Sequence, residues 1–450
     1  MTGTDTIVAI ATPPGRGGIS IVRVSGPAVA HIAVAMLGDV PPHAHAVRRD
    51  FKDSNGAILD NGVALFFAAP RSFTGEDVLE LHGHGGPVVQ DLVVAAALDL
   101  GARAARGGEF SERAFLNNKI DLVQAEAVAD LINASSAAAA KAAVRSLQGE
   151  FSARVNTLAD ALLQLRMHVE AAIDFADEDL TLLEEGAIAQ RIRDWLTASS
   201  RLQDLAQQGM LLRDGCTVVI AGRPNAGKSS LMNALSGEDV AIVSATPGTT
   251  RDVLRATVTL DGLPVLLLDT AGLRVSEDAI EQEGVRRARK EIERADRVLY
   301  VVDSADQLSV AGLSADLLAL PQELPVTVVL NKIDLCGKAF VPDHATSAPS
   351  LRVSVTSGEG FSALRSHLKE SLGYQSSEAS AFSARRRHVD ALQRAHVHVM
   401  AALHALDSTL GVEIIAEELK LGHASLGEIT GQVTSEDLLG AIFASFCIGK

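Results

Sequence analysis

Aromatic residues are scarce in this sequence of 450 residues: they make up 4%, with one Trp (Trp195) and two Tyr. The long Ala, Leu and Val runs therefore lean towards helix. Cysteine is rarer still. Cys216, Cys336 and Cys447 are odd in number, far apart and without a CxxC spacing. That argues against a disulfide framework or a zinc site and suits a reducing cytosol. Positive charge is in deficit, 40 Lys and Arg against 56 Asp and Glu, for a net charge of -16. A protein that simply coats nucleic acid is usually basic. An RNA partner must therefore meet a local basic patch, such as Arg385–Arg387, or be shared with a second protein. No apolar run of about 18 residues occurs, and the first residues lack a basic region followed by an apolar stretch. The expected location is cytoplasmic, with no membrane contact.

What is present is ordinary globular material, 47% hydrophobic and 21% charged, long enough for about two to four domains. Residues 1–118 mix short β-rich runs (Thr6–Thr12, Ile19–Val24, Gly62–Ala68, Val78–His82) with helical stretches at Pro27–Leu37 and Pro87–Leu100. This predicts a compact α/β unit. From Ile120 to about Arg213 apolar residues recur at helical spacing, as in Leu122, Ala125, Val128, Ala129 and Ile132. The Ala-rich segment Ala134–Ala143 reads as plain helix. At Cys216 the pattern changes. Strand-like runs at Thr217–Ala221, Pro264–Leu268, Val298–Val302, Val326–Leu330 and Leu351–Val355 alternate with helical segments. This is the signature of a parallel sheet covered on both faces. After the polar linker YQSSEASAFS, helical periodicity returns from Arg385. The fold class is multidomain α/β plus all-α: an α/β domain (1–118), a helical domain in two parts (119–213 and 374–450), and a P-loop domain (214–373) inserted between them.

The inserted domain carries the clearest chemistry. GRPNAGKS (Gly222–Ser229) matches GxxxxGK[ST], follows the apolar strand TVVIA and opens a helix. Such a loop turns backbone N–H groups towards phosphate oxygens; Lys228 reaches the β/γ-phosphates and the Ser229 hydroxyl can ligate Mg²⁺. The expected contacts here are Asn225, Ala226, Gly227, Lys228, Ser229 and Ser230. DTAG (Asp269, Thr270, Ala271, Gly272) ends the strand LPVLLL; its carboxylate can hold Mg²⁺ through water and the Gly272 N–H can meet the γ-phosphate. NKID ends the strand VTVVL. Asp334 can accept two hydrogen bonds from guanine, a donor pair that adenine lacks, and the Lys332 stem can stack on the base beside Asn331. In this order the three motifs predict GTP binding. Between them, PGTTRD (Pro247–Asp252) offers Thr250, with Thr249 beside it, as the switch-loop ligand to Mg²⁺.

The residue after DTAG is Leu273, where many small GTPases place a water-orienting Gln. An aliphatic side chain cannot orient water, so hydrolysis is either slow or uses another device. Arg274, Glu277, Asp278, Glu281 and Glu283 follow, normally a solvated run, of which one member can supply the missing carboxylate. Outside this domain, His82 and His84 flank a glycine in LELHGHGG, but two histidines without a third partner fall short of a metal site. Cys216 and Cys336 border strands and read as structural.

Along its whole length the chain resembles the MnmE (TrmE) family of tRNA-modification GTPases. The motifs that carry the resemblance are TPPGRGGI (Thr12–Ile19), FTGEDVLELHGHGG (Phe73–Gly86), GEFSERAFLNNKIDLVQAEAV (Gly108–Val128), VEAAIDF (Val169–Phe175), GRPNAGKSSLMNAL (Gly222–Leu235), PGTTRD, DTAGLR and the terminal FCIGK (Phe446–Lys450). The resemblance implies a homodimer formed through N-terminal domains that bind a reduced folate, 5-formyl- or methylene-tetrahydrofolate, as one-carbon source. The matching folate contacts are Arg23, Glu80, Lys119 and Lys450. Cationic groups suit the anionic glutamate tail, and a carboxylate suits the pterin's donors. It also implies a potassium ion at the nucleotide face, held by the Asn225 side chain and carbonyls of Ser244, Thr246 and Thr249, with Glu281 orienting water. Pro247 restricts Thr246 to extended geometry, which either presets a carbonyl towards that ion, the favoured reading, or weakens the dependence on potassium. Arg251 and Arg274 match switch positions without an assigned role. Cys447, within FCIGK, becomes a candidate for chemistry, as are Glu281 and Lys228. The implied activity is a potassium-dependent GTPase. With an FAD-dependent partner (MnmG/GidA) in a heterotetramer or larger complex, it adds a carboxymethylaminomethyl or aminomethyl group at C5 of the wobble uridine of certain tRNAs. A ribosome-assembly switch would share the nucleotide motifs but not the folate-type domain or FCIGK. A folate enzyme with a merely regulatory G domain is the other alternative.

Overall fold

The computed structural model describes residues 5–174, 185–237, 255–269, 295–336 without 319 and 322, 348–375, 382–433 without 409 and 410, 436–447, and 449. The chain divides into two units. One comprises Met1–Ala129, Ser146–Ser199 and Ala391–Lys450, and the other Asp130–Arg145 and Ser200–Asp390.

The first unit opens with β1 (Ile7–Ile10), β2 (Gly17–Ser25), α1 (Val29–Leu37), β3 (Val47–Lys52), β4 (Ile58–Phe67), β5 (Val78–Gly85), α2 (Pro87–Asp99), β6 (Arg103–Ala104) and α3 (Glu109–Leu116). The strands form one sheet in the order β3-β4-β5-β2-β1-β6. Side chains alternate between faces along a strand, so the sheet has two chemistries. Val8, Val22, Val24, Leu79 and Leu81 share one core with residues of α1 and α2. Ile7 and Ala9 point the other way, with Ala105 and Phe110. Ala9 pairs with Arg23, which pairs with Glu80; these two charged residues therefore lie side by side on the second face. The sequence did not reveal β3, whose segment VRRDFK buries only Phe51. A charged edge strand carries no apolar run to mark it.

The helices α4 (Leu122–Ile132), α5 (Ala137–Leu147), α6 (Glu150–Asp174) and α7 (Glu185–Asp214) follow. Asp121 and Gln124 close a reciprocal cap at the start of α4: Gln124 N donates to Asp121 Oδ1 at 2.9 Å and Asp121 N to Gln124 Oε1 at 3.0 Å, which satisfies two end-of-helix donors. The buried Trp195 on α7 donates its indole N–H to Leu158 O on α6 at 2.9 Å.

The second unit holds β7 (Cys216–Gly222), α8 (Lys228–Ser236), β8 (Arg255–Leu260), β9 (Leu263–Asp269), β10 (Arg297–Asp303), α9 (Gln307–Ala311), α10 (Leu313–Leu318), β11 (Val326–Asn331), β12 (Ser350–Arg352) and α11 (Phe361–Ser371). Their order is β12-β11-β10-β7-β9-β8. Val218, Ile220, Leu299, Val301 and Val329 enter one core. Val219, Ala221, Val298, Tyr300, Val302, Val328 and Leu330 enter the other. Burial on both faces explains the unbroken apolar runs. One strand departs from the expected parallel pattern: β8 runs antiparallel to β9. Asp261 (φ 50°) and Gly262 (φ 96°) make the two-residue turn between them, and Asp-Gly suits such a turn because both residues need positive φ. The chain ends with α12 (Arg386–Asp407), α13 (Val412–Thr430) and α14 (Glu436–Ala444), the last contributing Ile442 and Phe443 to a core with Leu122 and Ala125. Among the described residues no helix is long and apolar enough to cross a membrane.

Candidate nucleotide site and a second polar cluster

The order of the second sheet reverses beside β7, and at such a switch point a crevice opens at the carboxyl ends of the strands. The loop Gly222–Ser229 lies there, between β7 and α8. Its conformation explains its glycines. A Cβ at Gly222 (φ 140°) would stand 2.2 Å from Val301 O, and one at Gly227 (φ 96°) 2.3 Å from Asn331 Nδ2. Asn225 also takes a positive φ of 64°.

The loop's carbonyls are held by side chains. Asn331 Nδ2 donates to Ala226 O (2.9 Å) and Lys332 Nζ to Asn225 O (2.8 Å). Lys228 Nζ donates to Gly222 O and Arg223 O, both at 3.0 Å. With carbonyls engaged in this way, the loop's N–H groups are available to an anion, reinforced by the N-terminus of α8. Ser229 Oγ donates to Asp269 Oδ2 at 2.9 Å. Two hard oxygen donors at that spacing fit Mg²⁺. Ser230 is exposed in the first turn of α8. Asn331, Lys332 and Asp334 come together at the end of β11, where Ser354 Oγ donates to Asp334 Oδ1 at 2.6 Å. Lys332, at φ 62°, also pairs with Asp303 at 2.6 Å. Sequence reading missed Ser354 and Asp303. Neither belongs to a motif, although each ends or follows an apolar strand that the sequence did reveal.

Ser244, Thr246, Thr249, Thr250, Thr270, Ala271, Gly272, Glu281 and Lys450 lie outside the described residues, as do Pro247, Arg251, Leu273 and Arg274.

A second cluster lies on the α3-covered face of the first sheet. Arg23 Nε donates to Glu80 Oε1 at 2.9 Å and its Nη2 stands 2.8 Å from the same oxygen. His82 Nε2 is 3.1 Å from Glu80 Oε2. The Arg23 guanidinium lies over the rings of Phe73 (5.9 Å) and Phe110 (5.6 Å). Lys119 Nζ donates to Pro70 O at 2.9 Å, in the same loop as Phe73. His84 pairs instead with Asp60. The tail arrives here as well. Gly108 N donates to Cys447 O at 3.2 Å, and a Cβ on Gly449 would stand 2.2 Å from Ile10 O. The Cys447 side chain is exposed, Cys336 is half-buried, and Cys216 is buried, with its thiol pushed up to about 12 chiefly by that burial.

Beneath α3 runs a charged network that the sequence did not single out. Buried Arg113 bonds Asp5, Glu76 and Glu109, and Arg103 bonds Asp5 and Glu109. Burial by itself would raise the Glu109 carboxyl. Hydrogen bonds from Arg103, the Arg106 N–H and Arg113 outweigh it and hold the group at about 2. The network fixes α3, and with it Phe110.

A phosphate loop ending a central strand, a serine–aspartate pair at its foot and an Asn-Lys-x-Asp loop on the next strand but one define a P-loop GTPase domain. The comparisons with known proteins go further. A profile described as the GTP-binding protein TrmE N-terminus matches residues 6–119, and one described as the MnmE helical domain matches residues 122–447. The chain is 53% identical over 454 residues to the tRNA modification GTPase MnmE of Pectobacterium atrosepticum, with 100% of both chains covered. The identity and coverage are the same for the protein of that name from Yersinia pestis. Among solved structures, the G domain of the T. maritima FeoB iron transporter is 29% identical over 35% of this chain and 98% of its own, with a TM-score of 0.28. The chain belongs to the MnmE (TrmE) family of tRNA-modification GTPases.

Proposed function

We propose that this GTPase requires potassium and uses GTP hydrolysis to gate a modification at C5 of the wobble uridine, with a reduced folate as one-carbon source and an FAD-dependent partner of the MnmG type. The observation that supports this most is a juxtaposition: the FCIGK tail lies against β1 and Gly108, beside the sheet face that carries Arg23 and Glu80. An exposed thiol in a tail bonded to Gly108, on the unit that carries a carboxylate paired with a guanidinium lying over two aromatic rings, is an arrangement that a bare nucleotide switch does not need.

In this reading the domains are 1–118 for folate and dimerisation, 119–213 with 374–450 as the helical domain, and 214–373 as the G domain. The folate cradle fits the residues present. Glu80 offers a carboxylate to the pterin's amino and ring N–H donors, with Phe73 and Phe110 as apolar walls. Arg23 is already engaged with Glu80, so it serves the pterin end by holding that carboxylate, and the anionic glutamate tail falls to Lys119 and Lys450. The folate, when bound, supplies the one-carbon unit. Cys447 is the nucleophile candidate of the tail.

At the nucleotide, Lys228 exchanges its carbonyl partners for the β/γ-phosphate oxygens. Ser229 and Thr250 hold Mg²⁺, Asp269 supports it, and Asp334 reads guanine beside Asn331 and Lys332. Thr270, Ala271 and Gly272 line the γ-phosphate. Asn225, Ser244, Thr246 and Thr249 are the potassium ligands, and Glu281 orients the attacking water in place of a glutamine. Homodimers of the chain act on tRNA in the cytoplasm. The test is nucleoside analysis of tRNA from cells lacking the chain and re-supplied with it whole or without Phe446–Lys450. The whole chain should restore the modified wobble uridine and the shortened one should not; unchanged tRNA in the lacking cells would reject the reading.

A further inference from the structure

Arg223 is the second residue of the phosphate loop, and its side chain is gripped from outside that loop. Its Nε donates to Asp316 Oδ2 at 2.7 Å and its Nη2 to Asp316 Oδ1 at 3.3 Å, a fork on one carboxylate. Its Nη1 donates to Leu308 O at 2.9 Å. Tyr300 Oη, on β10, donates to the same Asp316 Oδ2 at 2.7 Å. The bend between α9 and α10 is shaped to the guanidinium: a Cβ at Gly312 would stand 1.9 Å from Arg223 Nη2. Burial pulls the Asp316 carboxyl upward, but the hydrogen bonds from Arg223 and Tyr300 outweigh it and keep the group below its usual range. The same surroundings push the Tyr300 hydroxyl upward, burial foremost. The donor and acceptor roles in the clamp are thus fixed.

The main chain of Arg223 belongs to the site itself. Its carbonyl accepts from Lys228 Nζ at 3.0 Å, and Pro224 after it confines Arg223 to extended geometry. One residue therefore joins the phosphate-binding lysine, through its carbonyl, to α9 and α10, through its guanidinium. We propose that Arg223, held by Asp316 and Tyr300, is a positioning residue for the triphosphate: the clamp fixes the entry of the loop so that its N–H groups and Lys228 converge on the phosphates. A planar fork suits this task because it fixes direction as well as distance. Asp316 lies far along the chain from the phosphate loop and touches no nucleotide atom in this scheme, so its effect on nucleotide binding must pass through Arg223.

The test is a double-mutant cycle in the full-length protein, reading the dissociation constants of GDP and of a non-hydrolysable GTP analogue, with unfolding temperature measured without nucleotide. Arg223→Ala and Asp316→Ala should each weaken both nucleotides by about three- to tenfold. The double variant should be no weaker than either single one, because both remove the same clamp. The preference for guanine over hypoxanthine nucleotides should stay as it was, since Asp334 is untouched. Asp316→Glu should recover part of the loss. Tyr300→Phe, which removes only a hydroxyl, keeps the test available if an alanine variant fails to fold, and it should weaken both nucleotides by about twofold. Unchanged affinities in folded variants would overturn the proposal. So would a lower unfolding temperature with unchanged affinity, or additive losses in the double variant.

Discussion

In the proposed reading the Asp334 carboxylate selects the base, and Ser354 Oγ donates to it. Asn in place of Asp334 offers an amide that matches the C2 carbonyl of xanthine, so Asp334→Asn should exchange preference for guanine for preference for xanthine nucleotides, measured as competing affinities. Ser354→Ala removes the 2.6 Å hydrogen bond to Asp334 and should weaken GTP by roughly fivefold, about 1 kcal/mol, without changing which base is preferred. The two partners show what was legible in the sequence at this scale. Asp334 stands in a motif. Ser354 is a common residue whose partner is distant along the chain, and only the parallel pairing of β11 and β12 brings them together. Glu109 and Arg113 were invisible for a related reason: at that spacing on a helix, opposite charges usually mark a solvated face. Here they are buried. Because the Glu109 carboxyl lies at about 2 instead of 4.5, its contribution to stability is present above about pH 4.5 and is lost as pH falls towards 2. Glu109→Gln should cost about 2–4 kcal/mol at neutral pH, and the difference from the parent protein should shrink through that acid window in urea titrations.

At the scale of elements, the strands with long apolar runs were legible because the second sheet buries both faces, and the helices because their apolar positions recur at helical spacing. Of the four edges only β12, which overlaps the run Leu351–Val355, was legible. β3 is charged, β6 is only Arg103–Ala104, and β8 alternates Thr with apolar residues over only six positions. The Asp261-Gly262 turn, which the sequence reading did not use, explains the antiparallel edge on an otherwise parallel sheet. Gly262 is confined twice, by a φ of 96° and by Ala138 Cβ, which a Cβ there would approach to 2.8 Å. Gly262→Ala should therefore lower stability by about 1–3 kcal/mol, read as a shift in the urea midpoint with an unchanged slope.

At the scale of the whole molecule, the sequence carried the division of labour further than the fold alone could. The phosphate loop, the serine–aspartate pair and the base-reading loop assemble within the second unit, and the Arg23–Glu80 pair and the FCIGK tail within the first. In the proposed reading the chain, with its net charge of -16, shares its RNA with a partner. In the same proposed reading an alkali cation is needed because Leu273 has no polar atom to orient water. The most direct measurement is GTP turnover by the full-length protein in potassium chloride and in sodium chloride at equal ionic strength, over a range of protein concentrations. Turnover should be at least about tenfold faster in potassium, about 1.4 kcal/mol at the transition state, and should rise per chain with concentration as copies pair. Equal rates in the two salts, at every concentration, would remove both the cation and the pairing from the mechanism.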